Sequence, residues 1–206
     1  MGREKALTPL CMTRWGERLR DWSRFSDVYT VVVLTLEVII GLSNVQDVNE
    51  TFDASTKSRA RILLNSLTTS EFIVAQESLK VIMSKLEPTT KALQGHSENL
   101  LSAYKSIKAL IDLYAYMRED VEDLFDQIWK ECQSKAASVG AGELTAPRCS
   151  TKQTMRSNPP TTSAKDYYRI TIAIPLISGV HSELVNRFST SNAVAVQVSI
   201  FYLFSR

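Results

Sequence analysis

The chain has 206 residues, of which 44% are hydrophobic and only 7 are glycine, so its composition fits one ordered, mostly helical domain with a sizeable core. Its net charge of +2 gives no global argument for nucleic-acid binding, and any such argument must rest on local patches. The 3 cysteines are widely separated, which excludes a disulfide framework, indicates a reducing compartment and argues against secretion.

Residues 1–10 are predicted to form a disordered lead-in, and residues 11–139 a helical domain that opens with Thr13 as its first N-cap. Residues 28–42 are a β-branched run, and propensity alone favours a strand there. The spacing of Val32, Leu36 and Ile39 also fits a buried helix, and we prefer the helix because no partner strand is evident nearby. The run carries Glu37 and is too short to span a membrane.

Cap and breaker residues divide the next part of the chain into helices. Asp53 or Ser55 is expected to cap a helix, and helices are predicted over residues 59–67 and 70–86. Pro88 suits the first turn of a further helix, because a proline lacks the backbone N–H that a helix interior needs.

Residues 99–139 are the longest periodic stretch, with apolar side chains at steps of three and four and no proline or glycine. This pattern predicts a single long helix at the centre of an all-α domain of about six to eight helices. The opposite face is acidic and is interpreted as solvated. Its acids are nearly consecutive on one helix and fan around it, so they are not expected to converge on metal ions. The sequence therefore predicts no catalytic residue, no metal site and no cofactor.

Residues 140–162 are predicted to form a basic loop rich in proline, serine and threonine, and loops of this length are usually functional or disordered. The four residues from Ser163 to Asp166 resemble a capping box and open a predicted C-terminal helix of the same domain over residues 163–189, bent at Pro175. Residues 190–206 are predicted to be a tail. The Val-Ser pair after Gln197 is what a splice donor read in frame would encode, so our hypothesis is intron read-through after residue 197.

Several segments in order resemble one family of proteins. Cys11-Met12-Thr13-Arg14-Trp15 resembles the C-x-x-R-W signature of hAT-superfamily DNA transposases. Further segments are similar to the domesticated branch of that superfamily, which includes MYM-type zinc-finger and THAP-bearing proteins; they are residues 70–75, 147–148, 156–158, 166–169 and 182–188. The resemblance covers most of the chain.

The resemblance implies which part of a transposase this chain is similar to. In hAT transposases an RNase H-like core with three metal-binding acids is interrupted by a large helical insertion, and the C-x-x-R-W signature lies near the start of that insertion. Only ten residues precede Cys11, and Glu4, their one acid, is in no matching motif. The resemblance therefore implies an insertion-domain fragment of an RNase H-like fold, without the acidic triad and not an enzyme by itself.

The family likeness also implies candidate nucleic-acid-binding residues. In the transposases the pair that matches Arg14 and Trp15 contacts DNA near the cleaved end, where an aromatic ring can stack on an unpaired base. The alternative is that Trp15 packs into the first helix interface and Arg14 pairs with a carboxylate. If both edges of the insertion converge, Arg14, Arg148, Lys152 and Arg156 form one positive surface beside Trp15.

Two functions remain open from the sequence. One is a catalytically inactive, transposase-derived domain that contributes DNA or protein contacts, and the other is a helical protein-interaction module without DNA binding. The expected partners are DNA or proteins, with no membrane and no small-molecule substrate. The resemblance implies a nuclear location, and without it the chain would be expected in the cytosol.

Overall fold

The computed structural model describes residues 15–42, 51–94, 100–148 and 159–188. These residues form an all-α fold, as predicted, and the number of helices falls within the expected range. The elements in order are α1 (Trp15–Ile40), α2 (Ala54–Leu67), α3 (Ser70–Ser84), α4 (Glu87–Gln94), α5 (Leu100–Glu119), α6 (Val121–Ser138), α7 (Ala164–Tyr168), a π-helical turn (Arg169–Ala173) and α8 (Ile174–Arg187). None of these helices is long and apolar enough to cross a membrane.

The β-branched run that could have been a strand lies in α1, so the preference for a helix is confirmed. Tyr29, Val33 and Leu36 follow one another at steps of four and three and are buried, which makes them one core-facing side of the helix. The helix ends where Gly41 adopts a φ of 80°, a left-handed conformation that glycine adopts without a steric penalty.

Caps set the beginnings of the next two helices. Asp53, rather than Ser55, caps α2 by accepting a hydrogen bond from the backbone N–H of Thr56 at 2.8 Å, and this bond lowers the pKa of the Asp53 carboxyl. Thr69 caps α3 by accepting from the N–H of Phe72 at 3.2 Å. Pro88 is the second residue of α4, as expected from its missing N–H.

The prediction of one long helix over residues 99–139 is wrong. The stretch is broken at Asp120, whose ψ of 28° departs from helical geometry, and α5 and α6 lie on either side. The physical reason is packing: α5 packs mainly against α8, whereas α6 packs mainly against α3. The apolar residues keep their spacing of three and four across the break, because α5 and α6 each bury one apolar face. This spacing alone does not reveal that a single residue between the two helices is non-helical.

The centre of the fold is α3 and not the residue 99–139 stretch. This helix contacts α1, α2, α6, α8 and the π-helical turn. It is buried on several sides, so that even the consecutive polar residues Gln76, Glu77 and Ser78 are shielded from solvent. A helix surrounded by others lacks a clean polar face, and these three polar residues concealed its burial from the sequence pattern.

The apolar stripe of α5 and α6 forms much of the core, as predicted. Its buried members include Ile107, Tyr114, Met117, Val121, Ile128 and Cys132. The Tyr114 hydroxyl donates a 2.6 Å hydrogen bond to the carbonyl of Ile82 and so joins α5 to α3. Burial is also the main reason that the pKa of the Cys132 thiol is raised to about 12, which leaves this cysteine protonated and unreactive at neutral pH.

The last helical stretch begins with Ser163 as its N-cap, which is one half of the predicted capping box. The Ser163 hydroxyl accepts from the N–H of Asp166 at 3.1 Å and donates to the Asp166 carboxylate at 2.7 Å. The irregularity expected at Pro175 takes the form of the π-helical turn directly before it, where the N–H of Ile174 donates to the carbonyl of Arg169. Pro175 cannot donate a helical hydrogen bond, and the wider turn lies where that bond would be missing.

Candidate interaction surfaces

The acidic face of α6 is only partly the solvated surface that the sequence indicated. Glu122 forms an ion pair with Arg169, and Asp126 forms one with Lys165, so two of the acids join α6 to the α7 region. The carboxylates of both pairs are exposed, and ion pairs open to solvent stabilise a fold by only about 0–1 kcal/mol. Within the part of the chain that the structure describes, no three histidine, cysteine, aspartate or glutamate side chains come together as a metal site would require.

The predicted nucleic-acid-binding residues are described only in part. Arg14, Lys152 and Arg156 lie outside the described residues. Trp15 is the first residue of α1, and the structure describes its backbone but not its side chain. Arg148 is described and exposed. The convergence of these residues on one surface therefore stays a prediction.

The segment leading to Arg148 is held against the helices. Leu144 is buried, and the N–H of Thr145 donates to the Ser70 hydroxyl at 3.0 Å, at the start of α3. The Tyr168 hydroxyl donates to the carbonyl of Thr145 at 2.9 Å. Arg148 follows three residues later, so its backbone leaves a fixed point on the surface of the fold.

A buried ion pair connects α1, α3 and α6. The Lys135 ammonium pairs with the Glu77 carboxylate, donates to the Ser26 hydroxyl at 3.2 Å, and lies 5.2 Å from the centre of the Tyr29 ring. Burial, and secondarily the Glu77 charge, raises the pKa of Tyr29 to about 12. The cluster joins three helices. Neither Lys135 nor Glu77 lines a cavity that the structure describes, so the geometry of the ion pair suits a structural role. Sequence analysis missed it because its members are far apart in the chain.

An apolar cavity of about 440 Å³ lies between α1, α3, the π-helical turn and the start of α8. Its lining residues are Trp22, Phe72, Ala75, Gln76, Leu79, Thr171, Ile172, Pro175 and Leu176. None of them is charged, so the cavity is unsuited to binding a phosphate or a carboxylate. Gln76 is fully buried, and its amide atoms have no hydrogen-bond partner among the residues described.

A second apolar stripe on α1 faces solvent. Val31 is 63% exposed and Leu34 is 45% exposed, and Leu42, just beyond the helix, is also exposed. Val31 and Leu34 lie roughly on the side of α1 away from Val33, because each residue of an α-helix is rotated about 100° from the last. The exposure of some of these residues could have been predicted from the sequence, since residues 28–42 contain more apolar side chains than one helix face can bury.

Helix α2 packs against α1 through a narrow face, on which Ala60 and Leu64 are buried. Ile62 is 64% exposed and Leu63 is 54% exposed. The same helix carries three exposed cations, Lys57, Arg59 and Arg61. Sequence analysis did not identify this surface, although three cations and no acid within one helix are a visible signal.

Comparison with known proteins gives two relatives. The chain is 24% identical over 195 residues to the 52 kDa repressor of the inhibitor of the protein kinase from Mus musculus, and 22% identical over 195 residues to the protein of the same name from Homo sapiens. In each case the match covers 95% of this chain and 25% of the relative. This chain thus spans about a quarter of the length of the curated relatives it matches. No family model matches the chain, and no solved structure matches it significantly.

Proposed function

We propose that this chain is a catalytically inactive domain of a hAT transposase-derived protein and that it acts in the nucleus by contacting other proteins. The motifs quoted above and the distant similarity to a repressor support a transposase-derived regulatory role. The observation that carries protein contact is the exposed apolar stripe of α1, formed by Val31 and Leu34.

The physical argument rests on hydration of that stripe. Single exposed apolar side chains are ordinary on a protein surface, but neighbours on one helix face leave a continuous apolar area in water. Val31 and Leu34 are three residues apart, which makes them neighbours on the surface of α1. A partner that covers both gains about 25 cal/mol for each Å² of apolar area that it removes from water.

The experiment uses the full chain immobilised as bait in nuclear extract, with retained proteins identified by mass spectrometry. Replacing Val31 and Leu34 together by glutamine keeps good helix-forming residues and removes the apolar stripe. We expect the amount of specifically retained protein to fall about tenfold or more. This corresponds to a loss of roughly 1.4 kcal/mol or more of binding free energy.

A matched control replaces Ser84 and Ser134, two exposed polar residues on α3 and α6, by glutamine. This variant should retain the same proteins as the parent chain. The proposal would be contradicted if the Val31/Leu34 variant retained as much protein from the extract as the parent chain does, while all three baits gave the same circular dichroism spectrum.

DNA contact is a second candidate function, which the exposed position of Arg148 at the end of its anchored segment favours. With Lys152, Arg156 and Arg14 it would bind phosphates, and Trp15 would stack on an unpaired base. We expect the triple change of Arg148, Lys152 and Arg156 to alanine to weaken binding across DNA sequences. The salt slope of binding should fall by roughly one unit for each phosphate that the variant leaves without a cation.

The measurement is a salt titration of binding to duplex and hairpin-ended DNA, followed by fluorescence anisotropy. Changing Trp15 to alanine should weaken binding to hairpin ends more than to plain duplex. If the unmodified chain binds no DNA even at low salt, the protein-interaction function stands alone.

A further inference from the structure

Two residues that line the apolar cavity carry buried polar atoms without a hydrogen-bond partner. Gln76 is fully buried, and neither its amide nitrogen nor its amide oxygen is paired within the part of the chain that the structure describes. The indole N–H of Trp22 is also buried and unpaired among those residues. Folded proteins pair most of their buried polar groups, so two exceptions at one cavity point to a bound molecule that supplies the missing partners.

The third polar side chain of the lining does not supply these partners. The Thr171 hydroxyl donates to the carbonyl of Tyr167 at 2.7 Å, within the last helical stretch. The other lining residues are apolar. The unpaired donors and the unpaired acceptor of the cavity are therefore those of Gln76 and Trp22.

The cavity runs from the surface into the core. On α3, its lining residues Phe72, Ala75, Gln76 and Leu79 follow one another at steps of three, one and three, which places them on one face of the helix. Another wall comes from the π-helical turn, an irregularity that is frequent at functional sites. Pro175 at the start of α8 is exposed, whereas Gln76 is fully buried, so the two residues mark the mouth and the inner end of the cavity.

Two aromatic rings of the lining are held in place by rings outside it. The ring of Phe25 lies 5.8 Å from that of Trp22 and 6.2 Å from that of Phe72, centre to centre. Tyr29 stacks on Phe72 with ring centres 6.1 Å apart. Because these contacts fix the two rings without a ligand, the cavity is preformed and has flat apolar walls.

We propose that this cavity binds a small neutral molecule with a flat apolar body and one amide group. A primary amide or a lactam presents an N–H and a C=O side by side, so it can donate to the amide oxygen of Gln76 and accept from the amide nitrogen at once. The ligand oxygen has a second lone pair, which can accept from the indole N–H of Trp22.

The volume of the cavity sets the size of the ligand. An engineered apolar cavity of about 150 Å³ holds one benzene molecule, and this cavity of about 440 Å³ is roughly three times larger. It therefore has room for a body of two or three fused rings. A leucine or phenylalanine side chain from a partner protein would fill only part of this space and would leave Gln76 unpaired. A charged ligand would lose its hydration without gaining a charged partner.

The test measures the binding of naphthamide to the full chain by isothermal titration calorimetry. Acetylnaphthalene and naphthoate, substituted at the same ring position, have nearly the same shape, but the first lacks an N–H donor and the second is charged. We expect naphthamide to bind saturably, with a Kd of about 1 mM or tighter. Acetylnaphthalene should bind at least about tenfold more weakly, because it leaves the Gln76 oxygen unpaired, and naphthoate should not bind.

Replacing Gln76 by leucine removes the buried amide and keeps a side chain of similar size. This variant should bind naphthamide about tenfold or more weakly than the parent, and it should no longer distinguish naphthamide from acetylnaphthalene. Without ligand its melting temperature should rise, because a buried amide without a partner destabilises the fold and leucine does not. The matched control replaces Gln127, an exposed glutamine of α6, by leucine and should bind both ligands as the parent does.

A second variant tests the cavity without changing its polar groups. Replacing Ala75 by leucine adds an apolar side chain to the lining, which should weaken the binding of both neutral ligands about tenfold or more. The circular dichroism spectrum should stay that of the parent, since the added atoms enter space that the cavity already provides. The matched control replaces Ala109, an exposed alanine of α5, by leucine and should leave binding unchanged.

The inference is overturned if the parent chain does not bind naphthamide saturably or binds acetylnaphthalene equally well, two readouts that do not depend on the folding of any variant. It also fails if the Gln76 variant melts at a lower temperature than the parent, since Gln76 would then have partners within the fold. Intact binding by the Ala75 variant would place the ligand elsewhere. Loss of extract proteins by the Gln76 variant, with no naphthamide binding by the parent, would assign the cavity to a side chain of a partner protein instead.

The inference and the proposed function fail separately. Trp22 and Val31 are both on α1, but a rotation of about 100° per residue places them on opposite sides of that helix. A ligand in the cavity therefore does not cover the apolar stripe of Val31 and Leu34. Retention of extract proteins through that stripe tests the proposed function alone, and naphthamide binding tests this inference alone.

Discussion

Replacing Lys135 by methionine is expected to lower the free energy of unfolding by about 3–5 kcal/mol, the usual cost of leaving a buried charge without its partner. The side chain of Glu77 is 2% exposed, so the carboxylate would be left without its ion-pair partner in a site that excludes water. Lys80 does not replace the partner, because it is 44% exposed and lies 3.8 Å from Glu77. Urea denaturation followed by circular dichroism measures the change.

The control for this prediction is the double change of Glu77 to glutamine and Lys135 to methionine. It removes both charges and leaves an amide in place of the carboxylate, so much of the stability should return. A decrease below about 1 kcal/mol for the Lys135 variant alone would show that the pair is not buried as described.

Replacing Phe125 by alanine is expected to cost about 3–5 kcal/mol, because a large, fully buried ring is removed and the neighbouring helices only partly fill the cavity. Phe125 packs near Trp129, with ring centres 6.2 Å apart, at the junction of α6 with the rest of the core. Thermal and urea unfolding both report this change in stability.

Asp123, two residues earlier on the exposed side of α6, is the matched control. Its replacement by alanine should change the free energy of unfolding by less than about 0.5 kcal/mol. Similar effects at Phe125 and Asp123 would mean that the buried side of α6 has been misassigned.

The helical class of the fold could be predicted from the sequence, because the spacing of apolar residues along a helix is a local property of the chain. The apolar spacing along α1 favoured a helix even though the β-branched composition favoured a strand, and Leu36 was among the residues expected to be buried. The break at Asp120 could not be predicted, because it depends on which helices α5 and α6 pack against. The central position of α3 was missed for a similar reason, since Glu77 has the character of a surface residue until its partner Lys135 is known.

The candidate site was less accessible to sequence reasoning. Motif resemblance suggested Arg14, Trp15 and residues of the basic loop as DNA contacts. Of these candidate residues, Arg148 is the one whose backbone and side chain are both described by the structure. The exposed apolar residues of α1 and α2 were not singled out from the sequence, because a sequence reports that a residue is apolar and not whether a neighbour covers it. Exposure of Val31 and Ile62 is a tertiary property, and only the arrangement of the helices reveals it.

Hydroxyl-radical footprinting of the chain, alone and with the proteins that it retains from nuclear extract, tests the central claim most directly. The method reports the solvent exposure of individual side chains, including valine and leucine. The proposed function predicts that labelling of Val31 and Leu34 falls severalfold when a partner is bound, as expected for side chains at the buried centre of an interface, while labelling of the exposed residue Tyr116 on α5 stays constant. Unchanged labelling of Val31 and Leu34 in the complex would contradict it.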